Sequence, residues 1–185
     1  MTVEPLAMPT GMMPRLEQQL MLFFTGVSRQ STTILREQQA SSASNQTDVI
    51  TSLHAMKEIA GRMIDAISGG EIDAVGELLH EAWERKRRLA TGVTTPLIDT
   101  AYRTAREHGA TGGKITGAGG GGYLMLACDP GKQDAVTAAL KELGLVRMHF
   151  RFDAQGAAVL MNTLGASVTP HTRPFRTAAP QEVYA

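Results

Sequence analysis

The sequence has little of several features that define whole classes of protein. Its one cysteine, Cys128, excludes an internal disulfide framework and a cysteine-based zinc site. Its 18 basic and 18 acidic side chains leave no net charge, which argues against a general binder of nucleic acid or of anionic membranes. No apolar run approaches the length of a membrane span, and no signal-peptide pattern begins the chain. We therefore expect a cytoplasmic setting, with neither nucleic acid nor a membrane as partner.

Metal-ligating and nucleophilic patterns are also scarce. None of the 5 histidines is paired with another at helical or short spacing, so we predict no metal site. No Ser/His/Asp order and no carboxylate pair stands out. The sequence therefore gives no catalytic residue and no metal ligand.

The remaining composition favours one domain with a buried core, since 43% of the 185 residues are hydrophobic. Apolar periodicity predicts a mixture of strands and helices, with residues 1–14 as an extended connection. The predicted strands are 20–24, 123–128, 146–152 and 156–161, and the predicted helices are 28–39, 45–69, 72–90, 95–109 and 133–143. This order indicates an α+β fold, an antiparallel sheet with a helical layer. We expect one domain over residues 1–161 and a loosely ordered tail over residues 162–185.

Glycine is concentrated in one place. Of 19 glycines, seven fall between Gly112 and Gly122, and Lys114 lies among them. Glycines let backbone N–H groups approach an anion closely, and Lys114 would add positive charge. The alternative is a structural hairpin or a tight turn from helix to strand. Each glycine costs about 0.5–1 kcal/mol of backbone entropy on folding, so their number favours a binding site.

Two familiar phosphate motifs do not fit this stretch. Gly117, Gly119 and Gly122 have the GxGxxG spacing, but the predicted loop follows a helix and enters a strand, whereas the dinucleotide motif needs a helix after the loop. The ATPase P-loop also fails, because Lys114 is followed by Ile115 and not by serine or threonine.

Three further residues are candidates for ligand contacts. Lys86 falls on the apolar stripe of its predicted helix, one turn after Trp83, so it either faces a pocket or extends its ammonium to water. Periodicity alone favours the second interpretation. Arg29 follows a buried strand and opens a helix, where it either meets an anion or lies beside a plain helix cap.

These segments together resemble a known family. KITGAGGGGYLML (residues 114–126) resembles the third, C-terminal motif of the GHMP small-molecule kinases. LFFTGVSRQSTTILREQ (22–38) and LHEAWERKRRLATGV (79–93) resemble the sugar-kinase branch, which includes heptose 7-phosphate kinases and fucokinases. The resemblance implies a ferredoxin-like C-terminal domain. It also implies transfer of the γ-phosphoryl group of ATP, with Mg²⁺, to a sugar hydroxyl, which is the anomeric hydroxyl for heptose 7-phosphate.

The resemblance also implies roles for particular residues. The ATP-binding set would be Gly117, Gly119, Gly120, Gly121 and Gly122, and the sugar-phosphate set would be Arg29, Trp83, Lys86 and Lys114. Family members carry an N-terminal domain with an ATP-phosphate loop and the Mg²⁺ ligand, and we find no such segment here. We therefore expect an N-terminal kinase domain as partner, in cis or in trans, and no substantial activity of this chain alone. The alternatives are a non-catalytic module that binds a sugar phosphate or a partner, and a decayed product without function.

Overall fold

The computed structural model describes residues 5–27, 34–36, 39–40 and 47–153. The chain divides into two units, Met1–Phe152 and Asp153–Ala185, and the description below concerns the first. Its helices are α1 (Met12–Gln19), α2 (Thr47–Gly69), α3 (Ile72–Lys86), α4 (Pro96–Glu107) and α5 (Gln133–Glu142). Its strands are β1 (Leu20–Phe24), β2 (Ala110–Ile115), β3 (Tyr123–Cys128) and β4 (Val146–Met148). Two short 3₁₀ turns cover Thr91–Val93 and Pro130–Lys132.

The four strands form one antiparallel sheet in the order β2-β3-β1-β4. The central pairing aligns Leu22 of β1 with Met125 of β3, and Met125 in turn lies opposite Lys114 of β2. Helices pack against this sheet, α3 mainly against β2. The predicted α+β fold, with an antiparallel sheet and a helical layer, is confirmed.

Each face of the sheet is covered by its own apolar core, as the alternation along β3 shows. Leu124, Leu126 and Cys128 lie in the main core, whereas Ala127 lies in a second one. The main core also contains Phe23, Trp83, Ile98, Tyr102, Val136 and Leu140. The second core joins α1 and α3 through Met12, Leu16, Ile72, Val75 and Leu79. Full burial of a large apolar side chain contributes about 1.5–3 kcal/mol to stability, so these positions hold the helices in place.

Strand β2 was not predicted, and Gly112 and Gly113 lie in it and not in a loop. The physical reason is close packing. A Cβ at Gly112 would overlap the carbonyl oxygen of Gly76 on α3, and a Cβ at Gly113 would overlap the carbonyl oxygen of Met125. Glycine is poor in strands in general, but here it lets a helix backbone lie directly on the strand.

Helix α1 is a second correction, because residues 12–14 were predicted as extended. Proline is tolerated in the first turn of a helix, where the N–H has no acceptor, so Pro14 does not prevent α1. Gly11 adopts a φ of 82° and turns the chain into the helix. Met12 and Leu16, four residues apart, are both buried. The prolines and Gly11 in this segment led to the prediction of an extended chain, and the pair Met12 and Leu16 is too short a pattern to indicate a helix.

Other boundaries differ by a few residues. The helix predicted over 72–90 ends at Lys86, where a 3₁₀ turn follows, and the strand predicted over 146–152 is limited to Val146–Met148. Thr95 caps α4 as expected, since its hydroxyl accepts from the Ile98 N–H at 3.3 Å. Of the predicted helix 28–39, residues 34–36 and 39 are helical. Two predictions lie outside the described residues: the strand over 156–161 and the boundary between residues 161 and 162. Among the described helices, none is long and apolar enough to cross a membrane.

Candidate functional site

The glycine loop is the connection between β2 and β3 and comprises residues 116–122. It is therefore a hairpin, with a strand on each side. The helix predicted over 95–109 is present as α4, but the prediction that the loop follows it directly is wrong, because β2 separates α4 from the loop. The exclusion of the dinucleotide motif still holds, since the loop leads into a strand and not into a helix.

The loop backbone has a shape that side chains would disturb. Gly119 has a φ of 114°, in the region that favours glycine, and a Cβ there would lie 2.6 Å from the carbonyl oxygen of Val93. A Cβ at Gly121 would lie 2.7 Å from the carbonyl oxygen of Val27. The loop is thus pressed against the 3₁₀ turn on one side and against the chain that leaves β1 on the other.

Hydrogen bonds fix the second half of the loop. The N–H of Gly120 donates to the Val93 carbonyl at 2.8 Å, and the N–H of Gly122 donates to the Val27 carbonyl at 2.7 Å. Thr25 donates to the Gly122 carbonyl with its N–H at 2.9 Å and with its hydroxyl at 3.0 Å. Sequence reasoning missed Thr25, although a threonine directly after a buried strand was a usable signal. In the described residues, no backbone carbonyl accepts from the N–H of Gly119 or of Gly121.

Lys86 reaches the first half of the loop. Only 7% of this lysine is exposed, and its ammonium donates to the carbonyls of Ile115, at 3.3 Å, and of Gly117. Burial, and then repulsion by Lys114, lower the pKa of Lys86 from 10.5 to about 8. Lys86 therefore neither extends into water nor depends on a ligand for a hydrogen-bond acceptor. The structure brings Lys86, Lys114 and the glycines 117–122 together.

Trp83 and Arg29 are placed differently. Trp83 is fully buried in the main core, with its ring centroid 6.1 Å from that of Tyr102. Its indole N–H has no acceptor among the described residues. A substrate contact of Trp83 stays a prediction. Arg29 lies outside the described residues, so its predicted contact with the sugar phosphate stays a prediction too.

A cavity of about 200 Å³ lies beside the loop. It is bordered by Gly120 and Gly121, by Thr25 and Val27, and by the first residues of α4. Loop amides and the N-terminus of a helix are both favourable surroundings for an anion, and Lys86 and Lys114 add positive charge at the same hairpin. The arrangement is suited to a small phosphate-bearing ligand.

Comparison with known proteins agrees with this geometry. Residues 63–145 match the family model described as GHMP kinases C terminal. The chain is 27% identical to D-glycero-alpha-D-manno-heptose 7-phosphate kinase of Campylobacter jejuni over 155 residues, which are 83% of this chain and 45% of that protein. It is 29% identical to the bifunctional fucokinase/GDP-fucose pyrophosphorylase of Arabidopsis thaliana over 154 residues, which are 83% of this chain and 14% of that protein.

A solved structure of a putative sugar kinase from Campylobacter jejuni has a TM-score of 0.57 and 25% identity, and the match covers 82% of this chain and 42% of that one. The fold belongs to the α+β class and contains a glycine-rich hairpin between antiparallel strands. Residues 63–145 thus match the GHMP kinase C-terminal domain, and the chain is similar to a heptose 7-phosphate kinase and to a fucokinase. It spans less than half the length of these relatives.

Proposed function

We propose that this chain is the substrate-side domain of an ATP-dependent sugar kinase, which phosphorylates heptose 7-phosphate or a related sugar at the anomeric hydroxyl. The similarity to a heptose 7-phosphate kinase and to a fucokinase supports the substrate class. The observation that carries the proposal is the hairpin loop. Its shape is fixed from within the domain, while the N–H groups of Gly119 and Gly121 are not used in fixing it.

The proposed work of these residues is positioning and charge stabilisation. Phosphoryl transfer spreads negative charge over the oxygens of the transferred group, and backbone amides stabilise such charge without reorganising. Of the predicted glycines, Gly117, Gly119 and Gly121 would provide the amides. Gly120 and Gly122, whose N–H groups donate to the Val93 and Val27 carbonyls, would hold the shape of the loop. Lys114 would add a mobile cation at the same cleft. Arg29 would bind the sugar phosphate, and the buried Trp83 would support the sugar side of the site from the core.

ATP, when bound, supplies the phosphoryl group, and the hairpin fits its phosphates because amides and two lysines meet there. Among the described residues no group of three or more metal-ligating side chains lies together. We therefore propose that Mg²⁺ and the ATP-phosphate loop are held by an N-terminal kinase domain, acting in cis or in trans. The present chain would complete the cleft from the opposite side.

Reconstitution tests this proposal. We would assay ATP-dependent phosphorylation of heptose 7-phosphate by the chain alone, by the N-terminal half of the Campylobacter jejuni relative alone, and by the two fused. We expect turnover only in the fusion. Turnover by the chain alone would contradict the division of labour, and an inactive but folded fusion that binds no heptose 7-phosphate would contradict the kinase assignment.

The second candidate function is a module that binds a sugar phosphate without chemistry. The fixed loop supports a binding module as much as it supports a kinase domain, since the contacts that fix the loop lie within this domain. Calorimetry with heptose 7-phosphate on the chain alone, alongside the reconstitution assay, separates the two. Binding without turnover in any fusion would favour the binding module.

A further inference from the structure

We propose that Lys86 is a positioning residue, whose ammonium holds the first half of the glycine loop in the shape that presents its amides to a phosphate-bearing ligand. The identity of that ligand rests on the proposed function, whereas the hold on the loop does not. This role differs from the direct substrate contact that the family resemblance implies for Lys86.

The geometry comes from the end of helix α3. Lys86 is the last residue of α3, and its ammonium lies between the carbonyls of Ile115 and Gly117. Between them stands Thr116, whose N–H and hydroxyl both pair with the Tyr123 carbonyl, at 2.9 and 3.2 Å. Beyond Thr116 the strand ladder stops. The Lys86 ammonium therefore holds the backbone at the point where the hydrogen bonds between β2 and β3 end.

The two halves of the loop are thus held in different ways. Backbone carbonyls of Val27 and Val93 fix Gly122 and Gly120. In the described part of the chain, the Lys86 ammonium is the side-chain donor that fixes Gly117. Loss of this one amine should consequently release the first half of the loop and leave the second half anchored.

Orientation of the peptide group is what links this contact to ligand binding. A trans peptide directs its carbonyl and its N–H in opposite directions. Because the Gly117 carbonyl points to Lys86, the N–H of Ala118 in the same peptide group points away from it. A buried lysine would thereby orient a loop amide that it does not touch.

Charge is part of this role. An ammonium donates stronger hydrogen bonds than a neutral amine, and its burial is costly unless carbonyls accept from it. Lys114 on β2 repels it, and Arg85 and Arg87 are its basic neighbours on its own helix. The lowered pKa of about 8 means that the amine loses its proton in an accessible pH range.

The test compares Lys86→Met, Lys86→Arg and a control, Arg88→Met, in the full chain. Arg88 is a basic residue just beyond the same helix, and it is exposed. Hydrogen exchange of isotope-labelled protein reports on the loop, and calorimetry with ATP reports on binding. We expect Lys86→Met to speed exchange at Thr116, which lies between the two residues that Lys86 holds and whose N–H donates to the Tyr123 carbonyl. The increase should be about tenfold or more, the loss expected for a charge-assisted hydrogen bond. Gly122 and β3 should change little.

Binding of ATP should weaken by a similar factor in Lys86→Met and should be largely restored in Lys86→Arg, since arginine keeps the charge and the donors. Arg88→Met should match the wild-type protein in both readouts. The pH profile is independent of any loss of folding in the methionine variant. Affinity should fall in the wild type as pH rises through about 8 and stay level in Lys86→Arg.

Unchanged exchange at Thr116 in Lys86→Met would overturn the inference, whatever happens to binding. So would equal loss of affinity in Lys86→Met and Lys86→Arg with intact loop exchange, which would point to a direct contact of the lysine with the ligand. Faster loop exchange with undiminished binding would overturn the link between the loop and the ligand, and with it the proposed function.

Discussion

The glycine-rich stretch consists of two regions that look alike in sequence but differ in the physical reason for having glycine. Gly112 and Gly113 lie in β2, where side chains would overlap the backbone of α3 and of β3. Gly117–Gly122 lie in the loop, where the backbone itself takes the shape that favours glycine. The first pair permits packing, and we propose that the second group forms an anion site.

The comparison shows that the number of glycines alone does not distinguish a packing role from a binding role. The environment of the missing Cβ separates the strand glycines from Gly117 and Gly122, although Gly119 and Gly121 in the loop also lie against a carbonyl oxygen. At Gly112 the space is occupied by another element, whereas at Gly117 and Gly122 nothing lies within 4 Å. Open space at a glycine with a positive φ is what a ligand-facing loop requires. Substitutions in the two regions should therefore affect different measurements.

The largest effect is expected for Gly112→Ala. The added methyl group would overlap the Gly76 carbonyl oxygen and push α3 away from β2, at a cost of about 3 kcal/mol in the free energy of unfolding. Urea unfolding measures it. The matched control is Gly61→Ala, on the exposed side of α2 with open space around it, which should stabilise the protein by about 0.5–1 kcal/mol. Equal stability of both variants would contradict the packing role.

Gly119→Ala should lower the stability less than Gly112→Ala does, and it should weaken ligand binding more. Its methyl group would lie 2.6 Å from the Val93 carbonyl oxygen at an unfavourable φ, so the loop must move. We expect a loss of about 1–2 kcal/mol in unfolding free energy and at least a tenfold loss of ATP affinity. Calorimetry at a temperature where the variant is folded checks the binding. Wild-type affinity with lowered stability would assign Gly119 to packing alone.

Gly117→Ala should have a smaller effect on stability. Its φ of 69° disfavours alanine by about 1 kcal/mol, but open space surrounds the position. Asparagine tolerates this conformation, so Gly117→Asn should cost less than Gly117→Ala. Thermal unfolding of both variants measures the difference. The reverse order would indicate a steric role for Gly117.

The last prediction concerns pH. The pKa of Lys86 is about 8 in the folded chain and 10.5 in the unfolded chain, so between these values the unfolded chain binds more protons. Titration of Lys86 therefore adds stability as pH rises through this window, and the addition is absent below pH 8. The unfolding free energy of the wild type relative to Lys86→Met should rise between pH 7 and pH 10. A relative decrease would contradict the lowered pKa.

Much of the fold was predictable because its signals are local. The run Leu20–Phe24 is confirmed residue for residue as β1, and Thr95 with Pro96 marks the start of α4. Strand β2 was not predictable, because it depends on pairing with β3 and on the close approach of Gly76, which is 36 residues from Gly112 in the sequence. Helix α1 was hidden by its proline and glycine content, and its amphipathic spacing is short.

The site was predictable in composition and not in detail. The glycines and Lys114 identify themselves by sequence, and periodicity places Lys86 on the buried face of its helix. That its ammonium binds the Ile115 and Gly117 carbonyls depends on the end of α3 meeting the hairpin, which no local pattern records. Thr25 was missed for the same reason, because its partner Gly122 is distant in sequence.

The most direct measurement is a titration of glycine-labelled full chain with ATP, followed by the NMR signals of its glycine amides. The loop is held by contacts within this domain, so we predict saturable shifts at Gly117, Gly119 and Gly121, and none at Gly112, Gly113 or Gly61. Shifts at the strand glycines with none in the loop, or no shift at any glycine at concentrations that saturate the reconstituted kinase, would contradict the loop as the anion site.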